Sequence, residues 1–223
     1  MSGDGTRLPL VPLADLVHFP RTELRLHVTD PSLEPLVQDL TALDEDARWL
    51  GVVLLKPGWQ QGHSAIYPGG TAARVLDLET LSDGRCELLL YGEFRFELQR
   101  ELGFDPYRQA LVRPVEEPWL NERDAGVVAV RKAILGVLRS LCEELGDKLP
   151  LDVDDLASGD CAFEELVNRI ATRVDVPPLR KLQLLGEPLP ERGLSVLSIL
   201  CGRQQVVDML RPFRRLADGS EHN

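Results

Sequence analysis

The sequence predicts an α+β protein: an N-terminal half built from an antiparallel β sheet with one helix, followed by a C-terminal helical bundle. Short segments in which apolar and polar residues alternate with period two fill the chain up to about residue 117. From about residue 121 the apolar residues recur at steps of three and four, the spacing of one helix face. Pro118 and Trp119 mark the change. The expected division is therefore a β-rich domain over residues 7–117 and a helical domain over residues 121–216, with flexible tails at 1–6 and 217–223.

Residues 8–13 and 24–28 read as strands on either side of a loop around Phe19 and Pro20. Residues 31–43 suit a short helix, because Asp30 can cap it, Pro31 fits its first turn, and Leu33, Leu36, Val37 and Leu40 share a face. Residues 48–55 contain the run Trp49-Leu-Gly-Val-Val-Leu-Leu55, the pattern of a strand buried on both faces. Residues 56–63 form a loop, since Pro and Gly interrupt the pattern. A strand over 74–81 sets Leu76 and Leu78 against Asp77 and Glu79, and Asp83-Gly84 is a strong hairpin signal. Gly92 is expected to bend the chain into a separate strand over 93–102. There Phe94, Phe96, Leu98 and Leu102 face a core, while Glu93, Arg95, Glu97, Gln99 and Glu101 face water. Residues 107–115 supply one more strand.

In the second half Asn121 is the expected N-cap of a long amphipathic helix with Asp124 in its first turn, carrying Val127, Val130, Ile134, Leu138, Leu141 and Leu145 on one face and ending near Gly146. Residues 149–160 are an acidic connector. Phe163, Leu166, Val167, Ile170 and Val174 define a second helix. Pro177-Pro178 opens a short third one that Gly186 and Pro188 stop. The last helix spans about 190–216, and Val196, Ile199, Leu200, Val206, Val207, Leu210 and Phe213 fill one broad arc of it.

Composition narrows the function. The 36 acidic residues outnumber the 25 basic ones, for a net charge of -11. Such a surface repels nucleic acid unless its basic residues are segregated. The one compact basic cluster, Arg211, Arg214 and Arg215, suits the negative end of a helix dipole. No apolar run reaches the roughly 20 residues that span a bilayer, and the N-terminus lacks a secretory signal, so a cytoplasmic location is expected. Cys86, Cys142, Cys161 and Cys201 form no Cys-x-x-Cys pair, which points to buried or half-buried thiols rather than zinc or redox chemistry.

No cofactor, metal or catalytic residue is predicted. His18, His27, His63 and His222 lack metal-ligand spacing, although His18 and His27 flank one loop. Ser64, Ser82, Ser195 and Ser198 lack a nucleophile elbow. Asp152, Asp154 and Asp155 lack the glycine and distal glutamate of a calcium loop. No lysine among Lys56, Lys132, Lys148 and Lys181 follows a glycine, which excludes a Walker A phosphate loop. The candidate protein-binding residues are Trp59 in its Gly/Pro/Gln loop, Phe19 in the first loop, and Trp119, which is also placed to fill a seam between the domains.

The order of several segments resembles the N-terminal domain of Lon proteases. Gly70-Thr71-Ala72-Ala73-Arg74-Val75 is similar to the family's Gly-Thr-x-Ala-x-Ile/Val segment. Asp83-Gly84 falls at its hairpin, and Gly92-Glu93-Phe94-Arg95-Phe96 at its Gly-x-x-Arg-Phe strand. Leu8-Pro-Leu-Val-Pro-Leu13 with Val17-His-Phe-Pro20 resembles the N-terminal signature. In the helical half, residues 176–185 resemble the Lys-Gln-x-Leu-Leu segment. The resemblance implies a PUA-like β pseudobarrel of the Lon N-domain type and a stand-alone, non-enzymatic module that lacks the ATPase and peptidase domains. It also implies that the module captures unfolded or flexible protein segments, in cooperation with a protease. A PUA-like binder of small molecules or RNA is the alternative, and an enzyme with an unrecognised site is a third reading.

Overall fold

A computed structural model describes residues 5–58, 65–80, 85–146, 152–158 and 160–218, the side chains of residues 80 and 212–218 excepted. The chain falls into two compact units. The first comprises residues Met1–Glu117 and Val176–Glu187; the second comprises Pro118–Asp175 and Pro188–Asn223. This differs from the linear division expected at residue 121, because the short helix after Pro177 belongs with the sheet.

Among the described residues, six strands form one sheet in the first unit: β1 (Thr6–Leu13), β2 (Glu23–Val28), β3 (Trp49–Leu55), β4 (Ile66–Thr80), β5 (Cys86–Gly103) and β6 (Gln109–Pro114). Helix α1 (Glu34–Ala42) lies between β2 and β3. The strand order is β2-β5-β4-β3-β1-β6, and β6 also pairs with β5. The pairings therefore run in a ring through β5, β4, β3, β1 and β6, with β2 as an appendage. The sheet is not wholly antiparallel as expected: β1 and β3 are parallel, with Leu10 beside Gly51 and Leu13 beside Leu54. A two-residue hairpin enforces antiparallel pairing, but β2 and α1 intervene here and make a crossover long enough for a parallel pair.

Asp30 accepts a hydrogen bond from Ser32 N at 2.9 Å and starts a single 3-10 turn, Pro31–Leu33, that leads into α1. Strands β4 and β5 pair antiparallel up to Thr80 and Cys86, as a hairpin requires; Asp83-Gly84 itself lies outside the described residues. Gly92 does not separate two strands. β5 runs 18 residues, and opposite Ala72 and Ala73 it accommodates Gly92, Glu93 and Phe94 as a bulge.

Strand alternation sorts the apolar residues into two cores. Leu10, Val53, Ala72, Phe96, Ala110 and Val112 come one or two from each ring strand and pack together inside the ring. Their neighbours Val11, Val52, Ala73 and Val75 turn the other way, onto Leu36 and Leu40 of α1 and onto Leu88 and Leu90. Both faces of β3 are therefore buried. Phe96 fills the ring because small residues give way to it: a Cβ on Gly70 would stand 2.8 Å from its Cζ and 2.5 Å from Val52 O. Gly92 lets a second element approach. It exchanges backbone hydrogen bonds with Arg21 and Thr22, and a Cβ there would lie 2.3 Å from Phe19 O.

Arg95 corrects the expectation that its face of β5 meets water. Its side chain is buried; Nη1 donates to the carbonyls of Leu185 and Glu187 at 3.0 Å each, and Nε lies 2.8 Å from a Glu117 carboxylate oxygen. Those carbonyls belong to the end of α5 (Pro178–Gly186), which packs on β4.

The second unit is helical: α2 (Ala125–Leu145), α3 (Val153–Leu156), α4 (Phe163–Arg173) and α6 (Leu189–Asp218). The cap of α2 is Asp124, which accepts from Gly126 N at 2.8 Å. Asn121 instead accepts from Arg123 N in the preceding turn. Inside the unit, Arg192 is wholly buried and donates to Asn168 Oδ1 at 2.8 Å. The arc expected on the last helix is split, with Val196, Leu200 and Val207 buried and Val206 and Leu210 exposed. Arg211 pairs with Glu144 of α2 rather than with a helix end; the side chains of Arg214 and Arg215 lie outside the described residues.

Arg95→Met should cost about 3–5 kcal/mol, because the half-buried Glu117 carboxylate and two carbonyls lose their buried donor. Denaturant unfolding checks the loss, and hydrogen exchange should show protection failing over residues 178–186 first. A cost under about 1 kcal/mol would refute this role for Arg95.

Candidate functional site

A groove of about 730 Å³ lies beside α1 in the first unit. Leu36 and Leu40, four residues apart on one face of α1, turn into the core and form its floor. Leu43, just past the helix end, stands at its lip with 44 % of its surface exposed. Trp49 at the start of β3 and Phe94 on β5 make one side, with ring centroids 6.0 Å apart. Thr6, Leu8 and Pro9 of β1 and Pro106, Tyr107 and Gln109 close the other.

The polar tips of these side chains are tied down, which leaves their apolar faces for the groove. Trp49 Nε1 donates to Asp46 O at 3.0 Å, and Tyr107 OH donates to Asp39 Oδ2 at 2.6 Å. Arg7 Nε donates to Gln109 Oε1 at 2.7 Å. Burial, then the hydrogen bond to Asp39 and its charge, pushes the Tyr107 phenol up to about 12, against a weaker downward pull from Arg7. Rigid aromatic walls with satisfied polar ends bind an apolar side chain at little entropic cost.

No Ser, Cys, His or Lys stands among the described residues that line the groove. Burial raises the Cys86, Cys142 and Cys161 thiols, which makes them poor nucleophiles. Among the described residues no three His, Cys, Asp or Glu side chains converge as a metal site would need. His18 is buried and held neutral, its pKa lowered to about 4, while His27 lies 3.2 Å from Glu87. A smaller cavity of about 480 Å³ lies beside Arg95, Gly69 and Leu182. Among the described residues β2 pairs with β5 alone, so its outer edge is open.

Of the residues expected to bind a partner, Phe19 is fully buried under Gly92 and is unavailable for contact. The sequence placed it in a loop, but the Gly92 approach draws that loop into the core. Trp119 is 87 % exposed. Trp59 lies outside the described residues. Neither Phe19 nor Trp119 lines the groove. Sequence reasoning missed Leu43, Trp49, Phe94 and Tyr107, which lie up to 64 positions apart (107 minus 43) and meet only through the strand pairings. The one local signal was an aromatic residue opening an otherwise aliphatic strand at Trp49. No helix of the described residues is long and apolar enough to cross a membrane.

Residues 7–202 match the family model of the ATP-dependent protease La (LON) substrate-binding domain. The chain is 28% identical to a Lon protease of Anaeromyxobacter dehalogenans over 205 residues, 91% of this chain and 24% of that protein. It is 28% identical to Lon protease 2 of Myxococcus xanthus over 209 residues, again 91% of this chain and 24% of that protein. The chain thus spans about a quarter of the length of these curated relatives. In fold it is similar to a Lon N-terminal domain protein from Xanthomonas campestris, with TM-score 0.60, 24% identity and coverage of 86% of this chain and 96% of that one. The N-terminal domain of a Mycobacterium avium complex Lon protease gives TM-score 0.62 at 16% identity, covering 88% and 98%.

With Tyr67→Phe and Tyr91→Phe in place, ultraviolet difference titration should show Tyr107 ionising at about 12 rather than near 10. Asp39→Asn should bring it down. The folded state holds this proton more tightly than the unfolded chain, so the stabilisation is complete below pH 10 and is lost as pH rises towards about 12. A folded-state midpoint at 10 would contradict the Tyr107–Asp39 contact.

Proposed function

The chain belongs to the Lon substrate-binding domain family, and on that premise we propose that it is a non-catalytic module that captures unfolded or flexible protein segments in the groove beside α1. The observation that carries this is the groove itself: an apolar floor, aromatic walls and tethered polar tips, with no Ser, Cys, His or Lys among the described lining residues. Burying one large apolar side chain there contributes about 1.5–3 kcal/mol. That is weak per site, and it suits a module that must accept many sequences.

The open edge of β2 offers a second mode, in which an extended segment adds a strand and is held by main-chain hydrogen bonds. Trp119 supplies an exposed aromatic contact, and Trp59 stays a candidate of the same kind. We read the ring of five paired strands as the PUA-like pseudobarrel implied by the resemblance. Proteolysis is the named activity of relatives of which this chain spans about a quarter; the step assigned here is recognition, in cooperation with such a protease. The apolar groove and the net charge of -11 weigh against the RNA-binding alternative.

Fluorescence anisotropy with a labelled, permanently unfolded protein tests the reading. Wild type should bind in the micromolar range, and Leu43→Glu should weaken binding about tenfold. Because Leu43 is already 44 % exposed, the same change should alter unfolding stability by less than about 1 kcal/mol. Absence of any binding at about 50 µM protein, an affinity weaker than roughly 6 kcal/mol, removes the proposal.

A further inference from the structure

The groove has a charged lip. From Asp39 to Asp46 the chain carries Asp39, Asp44, Glu45 and Asp46 with no Lys, Arg or His among them. All four are exposed. Asp39 lines the groove, and so do Leu43 and Ala47, the residues on either side of Asp44, Glu45 and Asp46. On the facing wall the exposed base is Arg7, already hydrogen-bonded to Gln109. Arg108, its neighbour in the β6 turn, is buried against Glu101 at 2.8 Å. At the lip itself Arg48 Nε donates to Leu43 O at 3.1 Å. The border therefore sets four carboxylates against the guanidiniums of Arg7 and Arg48 and is net negative, on a chain whose total charge is -11.

Resting on the groove as the recognition site, we infer that it selects segments in which an apolar or aromatic anchor is flanked by lysine or arginine. The anchor displaces water from the floor, and its flanks then lie along the carboxylates beside low-dielectric walls that concentrate the field. An acidic flank meets like charge at the same distance, so the lip rejects as well as attracts. A second copy of this chain would bring an equally acidic surface, which the same field opposes.

Labelled ten-residue peptides with one central tryptophan and lysine, serine or glutamate flanks test this by anisotropy on the purified chain. At about 50 mM salt the lysine-flanked peptide should bind roughly five- to tenfold tighter than the serine one, and the glutamate one weakest. The spread should shrink below about twofold at 0.5 M salt. The combined variant Asp44→Asn, Glu45→Gln, Asp46→Asn should abolish the difference between the peptides; the salt series on wild type answers the same question if that variant does not fold. Equal binding of all three peptides overturns the inference and leaves the groove reading intact, as does a preference that survives the triple variant. Failure of every peptide to bind overturns the groove reading itself. Self-association in sedimentation that peptide disperses would make the occupant a second copy, which also overturns the inference.

Discussion

The guanidinium of Arg95 stays charged at any accessible pH, yet its strand carries it into a place where only 6 % of the residue meets solvent. A buried charge is tolerable only when partners satisfy it. Here they are a carboxylate of Glu117 and the carbonyls of Leu185 and Glu187. The last carbonyls of a helix lack intrahelical donors and sit at its negative end, so α5 gains a cation where it needs one. Arg95 O also accepts from Val115 N at 2.8 Å, which fastens the end of β6. The next residue, Phe96, points the other way and fills the ring. One dipeptide thus closes the ring from inside and binds a distant segment from outside.

That arrangement explains why the first unit is discontinuous in sequence. Glu117 is where the chain leaves the unit, and Glu187 is where it leaves a second time. Both exits are tied to the same side chain. The groove lies elsewhere on the same sheet and benefits from its rigidity: Trp49 and Phe94 sit on strands with fixed register, and α1 is held by Leu36 and Leu40. Pre-formed walls spare a weak binder the cost of ordering its own site.

Much of the strand content was legible because burial imposes period two on residues such as Leu24 to Val28. The buried run from Leu50 to Leu54 was legible for the opposite reason, since both its faces are covered. Arg95 was misread by that same logic: alternation tells which face a residue occupies, not whether a helix nearly 90 residues later covers that face. Phe19 failed in a parallel way, since only the Gly92 contact shows that its loop is drawn inward. The α2 cap moved from Asn121 to Asp124 because both residues make the same local Asx bond, and the sequence does not rank them. The groove was hardly legible at all. Its residues carry no spacing signal, because apolar recognition needs shape rather than a fixed constellation of reactive groups.

By itself the sequence determined the class, α+β, the type and approximate limits of most elements, and the family to which residues 7–202 belong. Local periodicity, turn chemistry and motif order suffice for these, since each is written within a few neighbouring residues. Tertiary structure alone decided the parallel pairing of β1 with β3, the capture of α5 by Arg95, the burial of Phe19 and the meeting of Leu43, Trp49, Phe94 and Tyr107 in one groove. Those depend on contacts between residues far apart in the chain, whose energies come from burial and charge satisfaction in three dimensions.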